Sequence, residues 1–182
     1  MSYDSSTMYF SRKYHPLNVG ATRDPDDVWQ CTRTPGGEWS DAVNVKDLNT
    51  PFSDVLCSVS ADGTTALVAR TELHNAQPLV RLFVYTRTHG NWGDMQEILV
   101  RNFSGRSSHI YAHLSYNNSI LLLAIDGDGP SMDLYVCFRE GSSWTYSQPQ
   151  SLGSVINTRG TEGSPFLAYD GKTLDRKSTR LN

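Results

Sequence analysis

Residues 59–68 read VSADGTTALV, and variants of this stretch recur along the chain. The related copies are MSYDSSTMYF at residues 1–10, LSYNNSILLL at 114–123 and LAYDGKTL at 167–174. Their starting points are about 53 to 58 residues apart. A period of this length indicates a repeat architecture, in which each copy is one supersecondary unit that packs against its neighbours.

A second element recurs between the copies. It reads DVWQCTRTPGGEW from Asp27, RLFVYTRTHGNW from Arg81 and DLYVCFREGSSW from Asp133. Each version is a β-rich run, then an arginine, a glycine-bearing turn and a tryptophan. Such runs suit a pleated, half-buried surface, and short glycine-containing turns join antiparallel neighbours, so the element predicts a hairpin. The arginines are Arg33, Arg87 and Arg139, and the tryptophans are Trp39, Trp92 and Trp144.

The Asp-Gly pairs Asp62–Gly63 and Asp170–Gly171 predict a second, tighter hairpin in each repeat. The two hairpins together give four antiparallel strands per repeat, and no segment shows a helical period. Four strands in about 50 residues are typical of a β-propeller blade. The chain is therefore predicted to be all-β, with strands starting at each recurring tryptophan and strands near residues 7–11, 27–33, 55–60, 65–70, 81–87, 110–115, 119–125, 132–139 and 164–168.

Composition narrows the possible functions. The chain has 182 residues, is 38% hydrophobic and 19% charged, and carries a formal net charge of −3. Because its basic residues form no run, nucleic acid is not an expected partner. No apolar run approaches the roughly 20 residues of a membrane-spanning helix, so no span is expected. Cys31, Cys57 and Cys137 lack the close spacing of a zinc site, and we interpret Cys31 and Cys137 as small buried hydrophobes.

Neither a catalytic motif nor a cofactor site is predicted. The chain lacks Gly-x-Ser-x-Gly and a phosphate-binding loop. His109 and His113 stand four residues apart, which is roughly 13 Å along a strand, too far to share one metal ion. The stretch IDGDGPSMD at residues 125–133 matches only the beginning of a calcium loop, so a solvated turn is the preferred interpretation.

A family resemblance rests on residues 144–174, WTYSQPQSLGSVINTRGTEGSPFLAYDGKTL. This segment resembles the repeat of TolB-type, WD-repeat-like β-propellers, which runs from a Trp-Ser-x-Pro strand through an Asn-Thr loop to a Ser-x-Asp-Gly-Lys-x-Leu hairpin. Residues 38–67 repeat these elements, whereas the copy starting at Trp92 keeps the tryptophan and loses the Asn-Thr and Asp-Gly pairs. Residues 11–29 are similar to an insertion found in such repeats from bacterial envelope proteins.

The resemblance covers residues 1–174 and implies a partial β-propeller of about three four-stranded antiparallel blades. Since TolB-type propellers have six blades, the chain is expected to be a fragment whose open strand edges promote aggregation. Residues 175–182, DRKSTRLN, are polar and basic where an apolar strand is expected, and they resemble a translated adapter. They are left out of the expected fold. The expected blades are 1–52 (incomplete), 53–104, 105–157 and 158–174 (the start of a fourth).

The candidate binding residues are Asp54, His109 and Glu162, each five residues before a copy of the opening stretch. At that position they begin the innermost strands, which line the central channel of a propeller. They are therefore predicted to surround a channel mouth that binds a protein, a small molecule or a glycan. The alternative is that each side chain caps backbone N–H groups of its own loop.

The recurring arginines and tryptophans have structural interpretations. The arginines are expected to pair with acids such as Asp27 or Asp133 on neighbouring strands. The tryptophans are expected to pack between blades, with carbohydrate stacking as the alternative for any one of them.

The expected function is that of a non-catalytic binding scaffold in the periplasm or cell envelope of a bacterium, and its location rests on the resemblance alone. The alternative is a propeller domain of an enzyme, either the gate of a prolyl-oligopeptidase-type hydrolase or a polysaccharide-degrading propeller. A Gly-x-Ser-x-Gly motif beyond this segment would favour the hydrolase.

Overall fold

The computed structural model describes residues 6–105, 107, 110–126 and 131–179. These residues are all-β, as predicted, and their helix is limited to two 3-10 turns, Ala21–Arg23 and Lys46–Leu48. No helix among them is long and apolar enough to cross a membrane. The strands are β1 (Thr7–Arg12), β2 (Asp27–Thr32), β3 (Val43–Asn44), β4 (Ser53–Val59), β5 (Thr65–His74), β6 (Gln77–Thr88), β7 (Asn91–Val100), β8 (Tyr111–Leu114), β9 (Ile120–Asp126), β10 (Met132–Phe138), β11 (Thr145–Tyr146), β12 (Gln150–Ser151), β13 (Thr161–Leu167) and β14 (Leu174–Thr179).

The strands form four sheets that follow the chain order closely. Their strand orders are β1-β2-β3, β4-β5-β6-β7-β11, β8-β9-β10-β12 and β13-β14. The short strand β11 pairs in parallel with β7. The pairs β1–β2, β2–β3, β4–β5, β8–β9, β9–β10, β10–β12 and β13–β14 are antiparallel.

The contacts divide the chain into two compact units. Unit 1 comprises Met1–Glu72 and Phe83–Gln96, and unit 2 comprises Leu73–Leu82 and Glu97–Asn182. The core of unit 1 is built from Val28, Val45, Leu48, Ala66, Val68, Phe83, Tyr85 and Trp92. A cluster of Ala124, Met132 and Leu134 forms a core in unit 2, with Leu152, Ile156 and Leu174 packed against it.

All nine numbered strand predictions coincide with strands, but the prediction of a strand beginning at Trp39 is wrong. Trp39 makes only an isolated bridge with Arg33. The Ser40 hydroxyl accepts the Thr32 N–H at 3.0 Å, and the Ser40 N–H donates to the Thr32 carbonyl. The Ser40 hydroxyl therefore accepts the N–H that a carbonyl of the next strand would otherwise accept. The ladder of backbone hydrogen bonds ends at this point.

The tail that was left out of the expected fold also contains a strand. Leu174–Thr179 forms β14, which pairs with β13 from Leu167↔Leu174 to Thr161↔Thr179. Backbone pairing needs no apolar side chains, so a polar and mostly exposed sequence can complete this hairpin. Omitting these residues from the fold was therefore wrong.

The tight turn after each copy's first strand is held in three repeats by a side-chain oxygen that accepts the N–H two residues later. Asp62 Oδ1 accepts hydrogen bonds from the Thr64 N–H at 3.0 Å and the Thr64 hydroxyl at 2.8 Å. Asn117 Oδ1 makes the same two bonds to Ser119. Asp170 Oδ1 accepts the N–H of Lys172 at 2.8 Å, and its hydroxyl partner is Thr173, one residue further along. Such side-chain turns are formed by asparagine as well as by aspartate. The copy that starts at Leu114, which lacks Asp-Gly, therefore keeps the turn.

The two hairpins of a repeat are joined by one recurring backbone hydrogen bond. The N–H of each recurring arginine donates to a carbonyl in the preceding copy of the opening stretch. The acceptor residue lies five positions after the start of that copy. The pairs are Arg33 with Ser6 at 2.7 Å, Arg87 with Thr64 at 2.7 Å and Arg139 with Ser119 at 2.9 Å. Equal positions thus make equal contacts, as a structural repeat requires.

The guanidinium groups of these arginines bind turn carbonyls, which corrects the expectation that they pair with acids. Arg33 Nε donates to Gly37 O, Arg87 Nε donates to Gly90 O, and Arg139 Nε donates to Ser143 O. Each of these carbonyls belongs to the hairpin turn and lies three or four residues after the arginine. It is therefore closer in sequence than any acid on a neighbouring strand. The groups of Arg87 and Arg139 also lie over the rings of Trp92 and Trp144, at 5.4 and 4.2 Å from the ring centres.

The expected burial holds for Trp92, which is 6% exposed in the core of unit 1. It is wrong for Trp39, which is 39% exposed because no regular strand carries it into a core, and Trp144 is half-buried. Cys31 and Cys137 are buried free thiols, as interpreted, and burial raises the pKa of Cys137 to about 12.

We predict that Trp92→Ala destabilises the protein far more than His89→Ala. Removing a buried aromatic ring costs about 3–5 kcal/mol. His89 is exposed in the turn before β7, where a substitution changes stability by about 0.5 kcal/mol. Urea denaturation of both variants measures the difference, and equal midpoints would contradict the burial of Trp92.

Candidate ligand-binding cleft

Asp54, the first candidate binding residue, is the second residue of β4 and is fully buried in unit 1. Its Oδ2 accepts the Thr50 N–H at 2.7 Å and the Thr50 hydroxyl at 2.6 Å. Its Oδ1 accepts Arg70 Nε at 2.7 Å. Burial raises the pKa of Asp54, although the Thr50 hydrogen bonds and the charge of Arg70 oppose that rise. These are the contacts of a loop cap that is also held by a buried ion pair.

Glu162, the third candidate, makes the equivalent contacts in β13. Its oxygens accept the Thr158 hydroxyl at 2.6 Å, the Thr158 N–H at 3.1 Å and the Ser178 hydroxyl at 2.8 Å. Burial alone would raise the pKa of Glu162, but these bonds and the charge of Arg176 give a net lowering. The side chain is fully buried. Its bonds to Thr158 match the alternative in which the acid caps its own loop.

His109, the second candidate, lies outside the described residues. His113 is buried, and its Nε2 lies 3.2 Å from the Leu167 carbonyl oxygen. Burial lowers the pKa of His113. Among the residues that the structure describes, no group of three or more histidine, cysteine, aspartate or glutamate side chains is arranged to hold a metal ion.

Two asparagines that sequence reasoning did not single out bind the backbone of the neighbouring hairpin. Asn49 accepts the Val28 N–H at 2.8 Å and donates to the Val28 carbonyl at 2.9 Å. Asn157 makes the same pair of bonds to Leu134, at 2.8 and 3.0 Å. In these two repeats the amide thus takes the place of a strand residue. The recurring Asn-Thr pair was the available signal for this role.

A cleft of about 380 Å³ opens in unit 1, at the end of the sheets where the tight turn of residues 60–65 lies. Its volume is within the range of small-molecule sites. We call it the Ala61 cleft. Its lining includes Ser6, Thr7, Tyr9, Ala61, Asp62 and Arg87.

Residue 61 has a small side chain where the later copies carry an aromatic ring. Ala61 lies two residues after the start of its copy, and the equivalent residues of the later copies are Tyr116 and Tyr169. In unit 2 these two rings contact each other, with their centres 4.2 Å apart. A methyl group at the same position of the second repeat occupies much less volume than a phenol ring.

The Ala61 cleft combines a carboxylate with a guanidinium group. Hydrogen bonds from Ser60 and Thr64 lower the pKa of Asp62, so this carboxylate is ionised at neutral pH. Those bonds use its Oδ1, and Arg87 uses its Nε to bind the Gly90 carbonyl. The other oxygen of Asp62 and the two terminal nitrogens of Arg87 have no hydrogen-bond partner among the described residues. A polar ligand could therefore accept from Arg87 and donate to Asp62.

A second cleft, of about 250 Å³, lies in unit 2 and is lined mainly by Leu79, Leu82, Ile98 and Phe103. Its charged residues, Arg81 and Glu97, bind each other through Arg81 Nε at 2.8 Å. Because their charges are already paired, this cleft offers less to a polar ligand than the Ala61 cleft does.

Two comparisons, with protein-family models and with curated proteins, bear on the identity of the chain. No protein-family model matches it, and no curated protein matches its sequence. The function is therefore inferred from the residues themselves.

We predict that Arg70→Met destabilises the protein by about 3–5 kcal/mol at pH 7, because it leaves the buried Asp54 carboxylate without its counter-charge. The loss should be smaller at pH 5 than at pH 7, because burial raises the pKa of Asp54 and a proton on this carboxyl removes the unpaired charge. Urea denaturation at both pH values measures it.

Arg81→Met is the matched control. The side chains of Arg81 and Glu97 are 38% and 34% exposed, so breaking this pair should cost about 1 kcal/mol or less. A similar loss in the two variants would show that the burial of Asp54 and Arg70 has no energetic consequence.

Proposed function

We propose that the chain is part of a β-propeller that serves as a non-catalytic binding scaffold, with the Ala61 cleft as its ligand site. The observation that carries this proposal is the pair Asp62 and Arg87, which line one cleft and keep unused hydrogen-bonding atoms. Ligand sites combine a concave surface with a few converging polar groups. The ligand is a small polar molecule with both a donor and an acceptor group, such as an amino acid or a polyol.

The propeller part of the proposal is supported by contacts between equivalent residues of consecutive copies. Within unit 2, Tyr116 contacts Tyr169, and the rings of His113 and Phe166 lie with their centres 4.9 Å apart. His113 and Phe166 both stand one residue before the start of a copy. Like residues meet in this way when successive units are related by rotation about a common axis, as blades are.

The recurring polar residues also fit a scaffold. Asp54, Glu162, Asn49 and Asn157 are all bound to loops or strands of their own unit. Their chemistry serves the fold, which leaves ligand recognition to residues that differ between the copies. The proposed envelope or periplasmic location follows from the resemblance of residues 11–29 and 144–174 to TolB-type repeats.

The Ala61→Tyr variant tests the ligand site, because it places in the second repeat the residue that the later copies already accommodate. The unmodified protein is titrated with a panel of amino acids, neutral sugars, polyols and small carboxylates, and binding is followed by NMR at the Thr64 and Gly90 N–H and the Arg87 Nε–H. We expect at least one compound to shift these signals. The shift should be lost in Ala61→Tyr.

Tyr116→Ala is the control, because it changes the equivalent position in unit 2 and should leave binding at the Ala61 cleft intact. The proposal fails if no member of the panel shifts the three signals. It fails equally if the shifts persist in a folded Ala61→Tyr protein, since the ligand would then lie elsewhere.

A further inference from the structure

Two buried carboxylates hold the long loop between β1 and β2, at residues 13–26. Asp24 and Asp27 are both fully buried. Asp27 Oδ2 accepts the Val19 N–H at 2.8 Å, and Asp24 Oδ2 accepts the Gly20 N–H at 3.1 Å. Two adjacent amides of the loop are thus bound by two different carboxylates.

The loop is closely fitted to these groups. A Cβ at Gly20 would lie 3.0 Å from Asp24 Cβ, so only glycine allows this approach without a shift. Asn44 of β3 donates to Asp27 Oδ2 at 2.6 Å and to the Leu17 carbonyl at 3.3 Å. The anchor therefore joins the loop to both β2 and β3.

One oxygen of this anchor lacks a donor. Asp27 Oδ1 is buried and has no hydrogen-bond partner among the described residues, and the carboxyl groups of Asp24 and Asp27 lie close enough to interact. A buried carboxylate oxygen without a donor is costly. A proton on the carboxyl pair supplies the missing donor, because it converts two repelling acceptors into a donor and an acceptor.

We propose that Asp24 and Asp27 share one proton and that this proton fastens the loop of residues 13–26 to β2 and β3, so that its loss releases the loop. The loop carries three exposed apolar side chains, Tyr14, Leu17 and Val19, at 59%, 68% and 44% exposure. Release of the loop therefore changes how these three apolar side chains are exposed at the surface. The fold thus contains a pH-sensitive switch.

The charged surroundings of the pair do not neutralise it. Asp26 lies beside it, with Lys13 Nζ at 3.9 Å from Asp26 Oδ2 and the Ser53 hydroxyl at 3.4 Å. Lys13 is largely exposed, and its charge opposes the rise that burial causes in the pKa of Asp26. Arg12 and His15 pack against the Trp29 ring. From β4, the Asp54 carboxylate is bound to Arg70.

The direction of the pH effect follows from the proton affinity. Burial, and then the hydrogen bond and charge of Asp27, raise the pKa of Asp24 from 3.8 to about 7. The folded protein therefore holds this proton more tightly than the unfolded chain does. The stabilisation is complete below about pH 4 and is lost as the pH rises to about 7, where the folded protein itself releases the proton.

Hydrogen exchange at the Val19 and Gly20 amides tests the switch. After correction for base catalysis, their protection should fall about tenfold between pH 6 and pH 8, as the protonated fraction drops from about nine-tenths to one-tenth. Asp24→Asn should keep the protection at pH 8, because its amide donates to Asp27 at every pH. Asp26→Asn is the control and should retain the pH-dependent loss.

A carboxyl ¹³C NMR titration of the unmodified protein decides the matter independently of the variants, even if Asp24→Asn fails to fold. The Asp24 carboxyl signal should titrate between pH 6 and pH 8. Titration below pH 5, pH-independent protection in the unmodified protein, or loss of protection in a folded Asp24→Asn protein would each overturn the proposal.

Discussion

The backbone groups at the ends of short strands need hydrogen-bond partners, and this requirement shapes the whole protein. Three strands, β3, β11 and β12, have only two residues each, and many N–H and carbonyl groups lie in turns and loops rather than within a ladder. Polar side chains satisfy them. Asp62, Asn117 and Asp170 bind the N–H groups of their turns, and Asn49 and Asn157 bind both groups of a neighbouring strand residue.

This use of polar side chains gives structural contacts to residues that look functional in the sequence. Asp54 and Glu162 are acids at equal positions of a repeat, a pattern that also suits a binding site. Each accepts the N–H and hydroxyl of a threonine four residues earlier, Thr50 or Thr158. The recurring pattern Asn-Thr-x-x-x-acid therefore describes one hydrogen-bonded loop, in which the asparagine faces a strand and the threonine faces the acid.

The period and the turn residues were sufficient to predict the all-β class and the position of most strands. Two differences from the predicted strands have local causes that the amino-acid composition does not reveal. The Ser40 hydroxyl ends the ladder beside Trp39, and β14 forms although its side chains are polar. In the same way, Asn117 and Asn118 keep a turn that the loss of Asp-Gly seemed to remove, since asparagine tolerates the positive φ of 57° found at residue 118.

The site was harder to predict, because it depends on what the second repeat lacks. No motif marks Ala61, and only its alignment with Tyr116 and Tyr169 reveals a missing ring. The pairing of Asp24 with Asp27 was equally hidden, since the spacing of two acids in a loop does not tell whether they are buried. Burial decides whether such a pair repels in water or shares a proton.

Positions where the copies agree and positions where they differ therefore carry different information. The loop of residues 13–26 is far longer than the two-residue connection of residues 75–76 between β5 and β6. The fold does not require its length, because the same two strands are joined by two residues in the next repeat. Both this loop and the Ala61 cleft belong to unit 1. The repeated hydrogen bonds satisfy the backbone, and the departures from the repeat are where selection for function can act without disturbing it.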